Sequence, residues 1–185
     1  ALASKQSNAK FIHISTDFIF DGTISRPLVE TDSPNPISVY GASKLEGEKL
    51  ILQKNPDSLV IRSSWVYSSF GNNFVKTILR LCKERELLNI ICDQIGTPTY
   101  ARDLANLILK IIFLPDWKPG IYNFSNEGVA SWYDFAVAVA EMAGLQTNIL
   151  PIETCQYPTP AKRPKYSVLN KRKFKETYNR EIPYW

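Results

Sequence analysis

Short apolar runs alternate with longer segments of mixed polarity along the chain. The short runs, which have the length and composition of strands, are 11–16, 58–62, 88–92, 120–125 and 148–152. The longer segments, which predict helices, are 38–54, 73–86, 102–114 and 131–144. Strands that alternate with helices of about ten to fifteen residues are typical of an α/β fold with a mainly parallel sheet.

Two of the predicted helices have recognisable starts. Ser38 and Ser131 can each cap a helix with a side-chain oxygen. In the helix that follows Ser38, we expect Glu46, Glu48 and Lys49 to form a polar face turned to solvent. After the last predicted strand, which ends at residue 152, we expect a Pro-rich, basic closing segment.

Composition narrows the class of protein. Of the 185 residues, 44% are apolar, and no apolar run reaches the roughly 18 residues that a membrane span needs. Three cysteines without metal-ligand spacing fit a reducing compartment, so we expect a cytoplasmic protein without a membrane partner. The only histidine, His13, lies between isoleucines in the first strand, where a packed, hydrogen-bonded structural role is expected.

The net charge of +4 is concentrated near the carboxyl end, where residues 161–185 hold eight Lys or Arg and two Glu. Such a segment can be a solvated face, a site for a small anion such as a nucleoside diphosphate, or a nucleic-acid surface. No nucleic-acid motif accompanies it. We therefore expect no nucleic-acid partner, and rank the solvated face before the small anion.

The candidate chemistry lies in two places, the end of the first strand and the start of the first long helix. Thr16 and Asp17 end the strand, and ligands of doubly wound sheets bind at the carboxyl ends of strands. Tyr40 and Lys44 are four residues apart and so share one helical face. A phenol beside an ammonium is a better acid, because the positive charge favours the phenolate. A threonine hydroxyl can steady the oxygen of a carbonyl during reduction.

These residues resemble the extended short-chain dehydrogenase/reductase superfamily and, within it, the dTDP-4-dehydrorhamnose reductases. The strings that carry the resemblance run in the family's order: Ile14-Ser15-Thr16-Asp17-Phe18-Ile19-Phe20-Asp21-Gly22, Pro36-x-x-x-Tyr40-Gly41-x-Ser43-Lys44-Leu45-x-Gly47-Glu48, Arg62-x-Ser64-Trp65-Val66-Tyr67, Asp93-Gln94-x-Gly96-x-Pro98-Thr99 and Arg163-Pro164-x-x-Ser167-x-Leu169. The fourth string is also explained as a fixed turn, since Gly and Pro restrict its backbone.

The resemblance implies reduction of the 4-keto group of dTDP-4-dehydro-L-rhamnose to dTDP-L-rhamnose by hydride from NADPH or NADH. It implies that Thr16, Tyr40 and Lys44 are catalytic, and that Tyr40 and Lys44 also contact the cofactor. It assigns substrate binding to four residues, namely Thr16, Asp17, Trp65 and Arg163. For Trp65 a core aromatic is the alternative, and for Arg163 it is a solvated cluster with its lysine neighbours.

The resemblance also implies the domain organisation. We expect residues 1–68 to be the catalytic remainder of a Rossmann-like domain, with 88–114 returning to it in part. Residues 69–185 would then form mostly a small α/β substrate-binding subdomain. None of the eight glycines has the G-x-G spacing that holds a pyrophosphate. We therefore expect a piece of a larger enzyme that binds NADPH weakly by itself and is inactive alone.

Other functions and assemblies stay open on the sequence. A nucleotide-sugar epimerase or dehydratase of the same superfamily is the nearest rival, although Phe18 stands where dehydratases carry a Glu. A non-catalytic regulatory subunit of this fold is a second rival. A homodimer is open, but its magnesium-bridged form is doubtful, because Arg102 stands where metal-bridged relatives have an acidic residue and Arg cannot ligate magnesium.

Overall fold

A computed structural model describes all 185 residues. Its α-helices are α1 Leu2–Gln6, α2 Val39–Lys54, α3 Phe74–Glu84, α4 Ala101–Ile112, α5 Trp132–Met142 and α6 Arg172–Tyr178. Its strands are β1 Ile12–Thr16, β2 Leu59–Ser63, β3 Val66–Tyr67, β4 Leu87–Ile91, β5 Ile95–Gly96, β6 Thr99–Tyr100, β7 Gly120–Asn123, β8 Ala130–Ser131 and β9 Asn148–Ile152. Two 3-10 turns occupy Asp17–Ile19 and Thr154–Gln156.

The main sheet is parallel, with strand order β1-β2-β7. Thr16 pairs with Ser63 at the carboxyl edge, and Arg62 pairs with Asn123. Because all three strands run the same way, their carboxyl ends meet along one edge of the sheet. The expected Rossmann-like α/β fold with a parallel sheet is confirmed.

Three apolar clusters hold the elements together. The largest joins β2 and β7 to α4 and α6 through residues such as Ile61, Leu107 and Phe174. A second packs α3 and α5 on the small parallel β4-β9 sheet. A third lies under the loop that follows β1 and includes Phe20 and Leu28. The main sheet and the small sheet therefore have separate cores.

Helix α2 starts very close to the end of β1. Ser38 caps it by accepting a 3.1 Å hydrogen bond from the Gly41 amide, as the sequence predicts. A Cβ atom at position 41 would overlap the Phe18 carbonyl oxygen. Only glycine therefore allows the helix to sit against the turn that follows Thr16.

The long elements lie where the sequence predicts them, to within two residues at each end. Ser131 caps α5 in a full capping box with Asp134. Two expectations are wrong. Glu48 is not on a solvent-facing side, since it is 2% exposed. His13 Nε2 is buried without a hydrogen-bond partner. The Pro-rich, basic closing segment also contains a helix, α6, which packs its Phe174 into the main core.

The later part of the chain contributes to both halves of the molecule. Strand β7 lies in the main sheet and α4 packs on it, whereas α3, α5, β4 and β9 form the smaller unit. The division at residue 68 stays a prediction. None of the helices has the length and apolarity required to cross a membrane.

We predict that Gly41→Ala lowers the free energy of unfolding by about 3 kcal/mol, because the new methyl group must displace α2 from the Phe18 carbonyl. Denaturant unfolding measures this. Gly47→Ala is the control in the same helix, since its Cβ would only approach His13 Nε2 at 3.9 Å. It should be neutral, or stabilising by about 0.5–1 kcal/mol. Equal effects of the two substitutions would contradict the close approach.

Candidate active site at the carboxyl edge of the sheet

A cavity of about 680 Å³ opens at the carboxyl edge of the main sheet, beside the start of α2. All six residues singled out from the sequence line it: Thr16, Asp17, Tyr40, Lys44, Trp65 and Arg163. Residues far apart in sequence thus meet in one place. Their individual roles stay predictions.

Tyr40 and Lys44 occupy the first two turns of α2. Tyr40 is 54% exposed, and its ring meets Phe18 edge-on at 5.9 Å between centroids. Lys44 Nζ donates a 2.6 Å hydrogen bond to the carbonyl of Ile14 in β1. An ammonium has three protons, so after this bond Lys44 still has donors for a ligand. The phenol is accessible, and the ammonium beside it is fixed.

The Thr16 hydroxyl is held by its own neighbours. It donates to Asp17 Oδ1 at 3.1 Å and accepts from the Phe18 amide at 3.2 Å. A hydroxyl has a single proton to donate, so an incoming carbonyl oxygen would have to replace Asp17 as its acceptor. Thr16 therefore lies at the end of β1 with its proton engaged, and contact with a substrate carbonyl would require this one exchange of partners.

Asp17 is an unusually buried carboxyl group. It is 2% exposed, and its Oδ2 atom has no hydrogen-bond partner. Burial raises the pKa of Asp17 to about 6, although the hydroxyls of Ser167 and Thr16 partly oppose the rise. The Ser167 hydroxyl is thus near enough to stabilise the Asp17 carboxylate, but it is not aligned to donate a hydrogen bond to Oδ2. Asp17 lines the cavity, but Oδ2 itself is buried and remains an unsatisfied acceptor there.

Trp65 forms one wall of the cavity together with Trp132, which the sequence reasoning missed. The two indoles stack with centroids 3.6 Å apart and planes within 10°. Trp65 has a φ of 47°, a strained value for a bulky residue. A Cβ atom at Gly96 would come within 2.7 Å of its ring. The alternative of a simple core aromatic does not describe Trp65, because it is only half-buried and lines the cavity.

Arg163 reaches the cavity from the closing segment. It is exposed and has no acidic side chain within 4 Å, whereas its neighbour Lys165 lies 3.8 Å from Asp93. The segment is fixed beside it, because Pro164 is buried against Gly22. Arg163 is therefore an uncompensated cation at the cavity wall, as a site for an anion requires.

The Asp93–Thr99 segment behaves as a fixed turn. Asp93 Oδ1 accepts hydrogen bonds from the amide and hydroxyl of Thr154, at 2.8 and 2.6 Å. Gly96 provides the room that the Trp65 ring occupies. The turn thus shapes the cavity without lining it.

Sequence reasoning misjudged Trp132, which lines the site, and Glu48, which lies behind it. The predicted cap at Ser131 put Trp132 on the first turn of a helix, but no local pattern shows that it meets Trp65. Glu48 was assigned to the wrong face, although its spacing of four from Lys44 was a signal that the two share a side of α2.

A nicotinamide cofactor fits one part of this site. Tyr40 and Lys44 both line the cavity, and hydroxyl and ammonium groups are suitable donors to a ribose. The pyrophosphate of such a cofactor normally lies on a glycine-rich turn between a strand and a helix. No turn in these 185 residues has that glycine spacing. The chain therefore offers residues for the nicotinamide end of the cofactor.

The parallel sheet, the strand-end hydroxyl and the Tyr-x-x-x-Lys helix define the extended short-chain dehydrogenase/reductase class. Within it, the chain belongs to the family of the RmlD substrate binding domain, whose model matches residues 1–185.

Named relatives agree with this membership. The chain is 46% identical to "Spore coat polysaccharide biosynthesis protein SpsK" of Bacillus subtilis, covering 95% of this chain and 61% of the relative. It is similar to the structure of a dTDP-4-dehydrorhamnose reductase from Clostridium acetobutylicum, with a TM-score of 0.95 and 40% identity. The match covers 100% of this chain and 65% of the relative. It is also similar to the structure of a dTDP-4-dehydrorhamnose reductase from Bacillus anthracis in complex with NADP. That comparison has a TM-score of 0.93 and 39% identity, and covers 100% of this chain and 64% of the relative. The chain thus spans about two thirds of the length of these relatives.

We predict that Asp17→Asn stabilises the protein in a pH-dependent way. The folded pKa of about 6 exceeds the ordinary 3.8, so the folded state binds more protons between these values and loses stability as the pH rises through them. Asparagine removes this loss. Its gain in unfolding free energy should be about 3 kcal/mol near pH 7.5 and about 1 kcal/mol near pH 4.5.

Denaturant unfolding at the two pH values measures the difference. Asp57→Asn is the matched control, because Asp57 is exposed and its carboxylate has no ion pair. It should change stability little at either pH. A loss of stability in Asp17→Asn near pH 7.5, or a gain that is independent of pH, would contradict the burial argument.

Proposed function

We propose that the natural protein carrying this chain reduces the 4-keto group of dTDP-4-dehydro-L-rhamnose to give dTDP-L-rhamnose. The observation that carries the proposal is the convergence of Thr16, Tyr40 and Lys44 on one cavity at the carboxyl edge of the sheet. Membership of the RmlD family and the reductase names of its relatives support the substrate. The NADP in the name of one relative supports NADPH as the donor.

Two side chains act on the reacting oxygen in this proposal, and Lys44 supports one of them. Tyr40 and Lys44 would hold the nicotinamide end of the cofactor, which would supply the hydride for the C4 carbon of the sugar. Tyr40 breaks its O–H bond and gives the proton to the keto oxygen, which becomes the product hydroxyl. Thr16 donates a hydrogen bond to the same oxygen and so stabilises the negative charge that develops on it. Lys44, held by the Ile14 carbonyl, carries a positive charge one helical turn beyond Tyr40.

The remaining cavity residues bind the sugar nucleotide. Arg163 is the uncompensated cation for the diphosphate, and its planar guanidinium suits phosphate oxygens. Trp65 presents an aromatic surface to the deoxysugar. Asp17, whose buried Oδ2 has no partner, accepts a hydrogen bond from a sugar hydroxyl once a small side-chain shift exposes that oxygen. The substrate would thus be held at its anionic end, its apolar side and one hydroxyl.

We predict that Tyr40→Phe, in the natural protein that carries this chain, lowers kcat by at least about 10²-fold with little change in KM for the keto-sugar, because the proton donor is lost while the ring remains. The fall in absorbance as NADPH is oxidised measures the rate. Tyr184→Phe is the control, since Tyr184 is also exposed, at 67%, and lies away from the cavity. Retention of most of the activity by Tyr40→Phe would refute its role. A folded wild-type protein without turnover would favour the regulatory subunit.

A further inference from the structure

A buried ion pair joins the helix that carries Tyr40 and Lys44 to the central strand of the sheet. Arg62 Nη2 lies 2.8 Å from Glu48 Oε2, and Arg62 Nε lies 3.1 and 3.2 Å from the two carboxylate oxygens. Both residues are 2% exposed. The carboxylate is therefore engaged by two nitrogens of a guanidinium that water does not reach.

The same guanidinium also contacts the loop that follows β1. Arg62 Nη1 donates a 3.1 Å hydrogen bond to the Glu30 carbonyl, and the Phe20 ring lies 5.5 Å from Arg62 Cζ. The Glu30 carboxylate in turn accepts a 2.9 Å hydrogen bond from the Asn123 amide in β7. One side chain thus links α2, the loop after the Thr16 strand end, and the sheet.

Glu48 is the main anchor of α2 in the interior. Apart from Gly41, it is the only fully buried residue of that helix. It lies one turn beyond Lys44 and two turns beyond Tyr40, on the same face. The two turns from Tyr40 to Glu48 belong to one continuous helix, so a shift of Glu48 would shift Lys44 and Tyr40 across the cavity.

Stability alone does not account for such a pair. Two charges lose their hydration on burial, and apolar residues of similar volume are often as stabilising or more so. Apolar contacts would not fix the depth and rotation of the helix. The planar guanidinium does so, because it donates two hydrogen bonds to the carboxylate in one orientation.

We propose that Glu48 and Arg62 are positioning residues, which hold Tyr40 and Lys44 at the correct height above the end of β1 for proton transfer. Neither side chain lines the cavity, so neither touches the substrate. The inference rests on the proposed function, since it concerns the geometry of that reaction.

The first test is Glu48→Asp, which shortens the side chain by one methylene and keeps its charge. To keep the ion pair, α2 must then move towards Arg62. We expect kcat per folded molecule to fall at least tenfold, because a misplacement of about 1 Å can cost about 10²-fold. The KM for the keto-sugar should change less than threefold. Glu46→Asp is the matched control on the same helix, with a side chain 60% exposed, and should leave kcat unchanged. A lower melting temperature with unchanged kcat per folded molecule would overturn the proposal.

The second test replaces the pair with apolar residues in Glu48→Leu with Arg62→Met, and it does not need turnover. We expect the melting temperature to stay near that of the wild type, while the amides at the start of α2 exchange hydrogen at least tenfold faster and those of β2 do not. Unchanged exchange in α2 would overturn the positioning role, whatever the activity. If the wild type shows no reductase turnover but this exchange result holds, the reaction assignment fails and the structural anchor stands.

Discussion

The whole site depends on how closely α2 approaches the end of β1. Gly41 allows that approach, because any side chain there would collide with the Phe18 carbonyl. The Lys44 ammonium fixes it from the other side through a 2.6 Å hydrogen bond to the Ile14 carbonyl. With strand and helix held together, a hydroxyl at the strand end and a phenol at the helix start meet at one cavity. The parallel sheet contributes the common edge on which this happens.

Two carboxyl groups are buried where α2 and the end of β1 approach each other. Asp17 and Glu48 are both 2% exposed, yet their surroundings differ. Glu48 has Arg62 as a full partner, whereas Asp17 keeps one oxygen without a hydrogen bond and its pKa rises to about 6. The paired carboxylate suits a role in holding the helix. The unpaired one costs stability, and such costs are typical of residues kept for binding or catalysis.

Local patterns predict much of this molecule. Alternating runs give the order of strands and helices, and Ser38 and Ser131 mark two helix starts because capping depends on nearby residues alone. Long-range contacts escape such reasoning. The stack of Trp132 on Trp65 joins positions 67 residues apart, and the partner of Glu48 lies on another element. A charged residue in a helix predicts a solvated face unless its partner is known, which is why the pattern misplaced Glu48.

In the proposed function, the site at the carboxyl edge of the sheet reduces a keto-sugar. The most direct test of this function uses NADPH carrying deuterium at the transferable position, with dTDP-4-dehydro-L-rhamnose and the natural protein that carries this chain. Mass and NMR analysis of the product then locate the label. The account predicts one deuterium on C4 of dTDP-L-rhamnose. Unlabelled product, label at another carbon, or no product from a folded protein with both ligands present would contradict it.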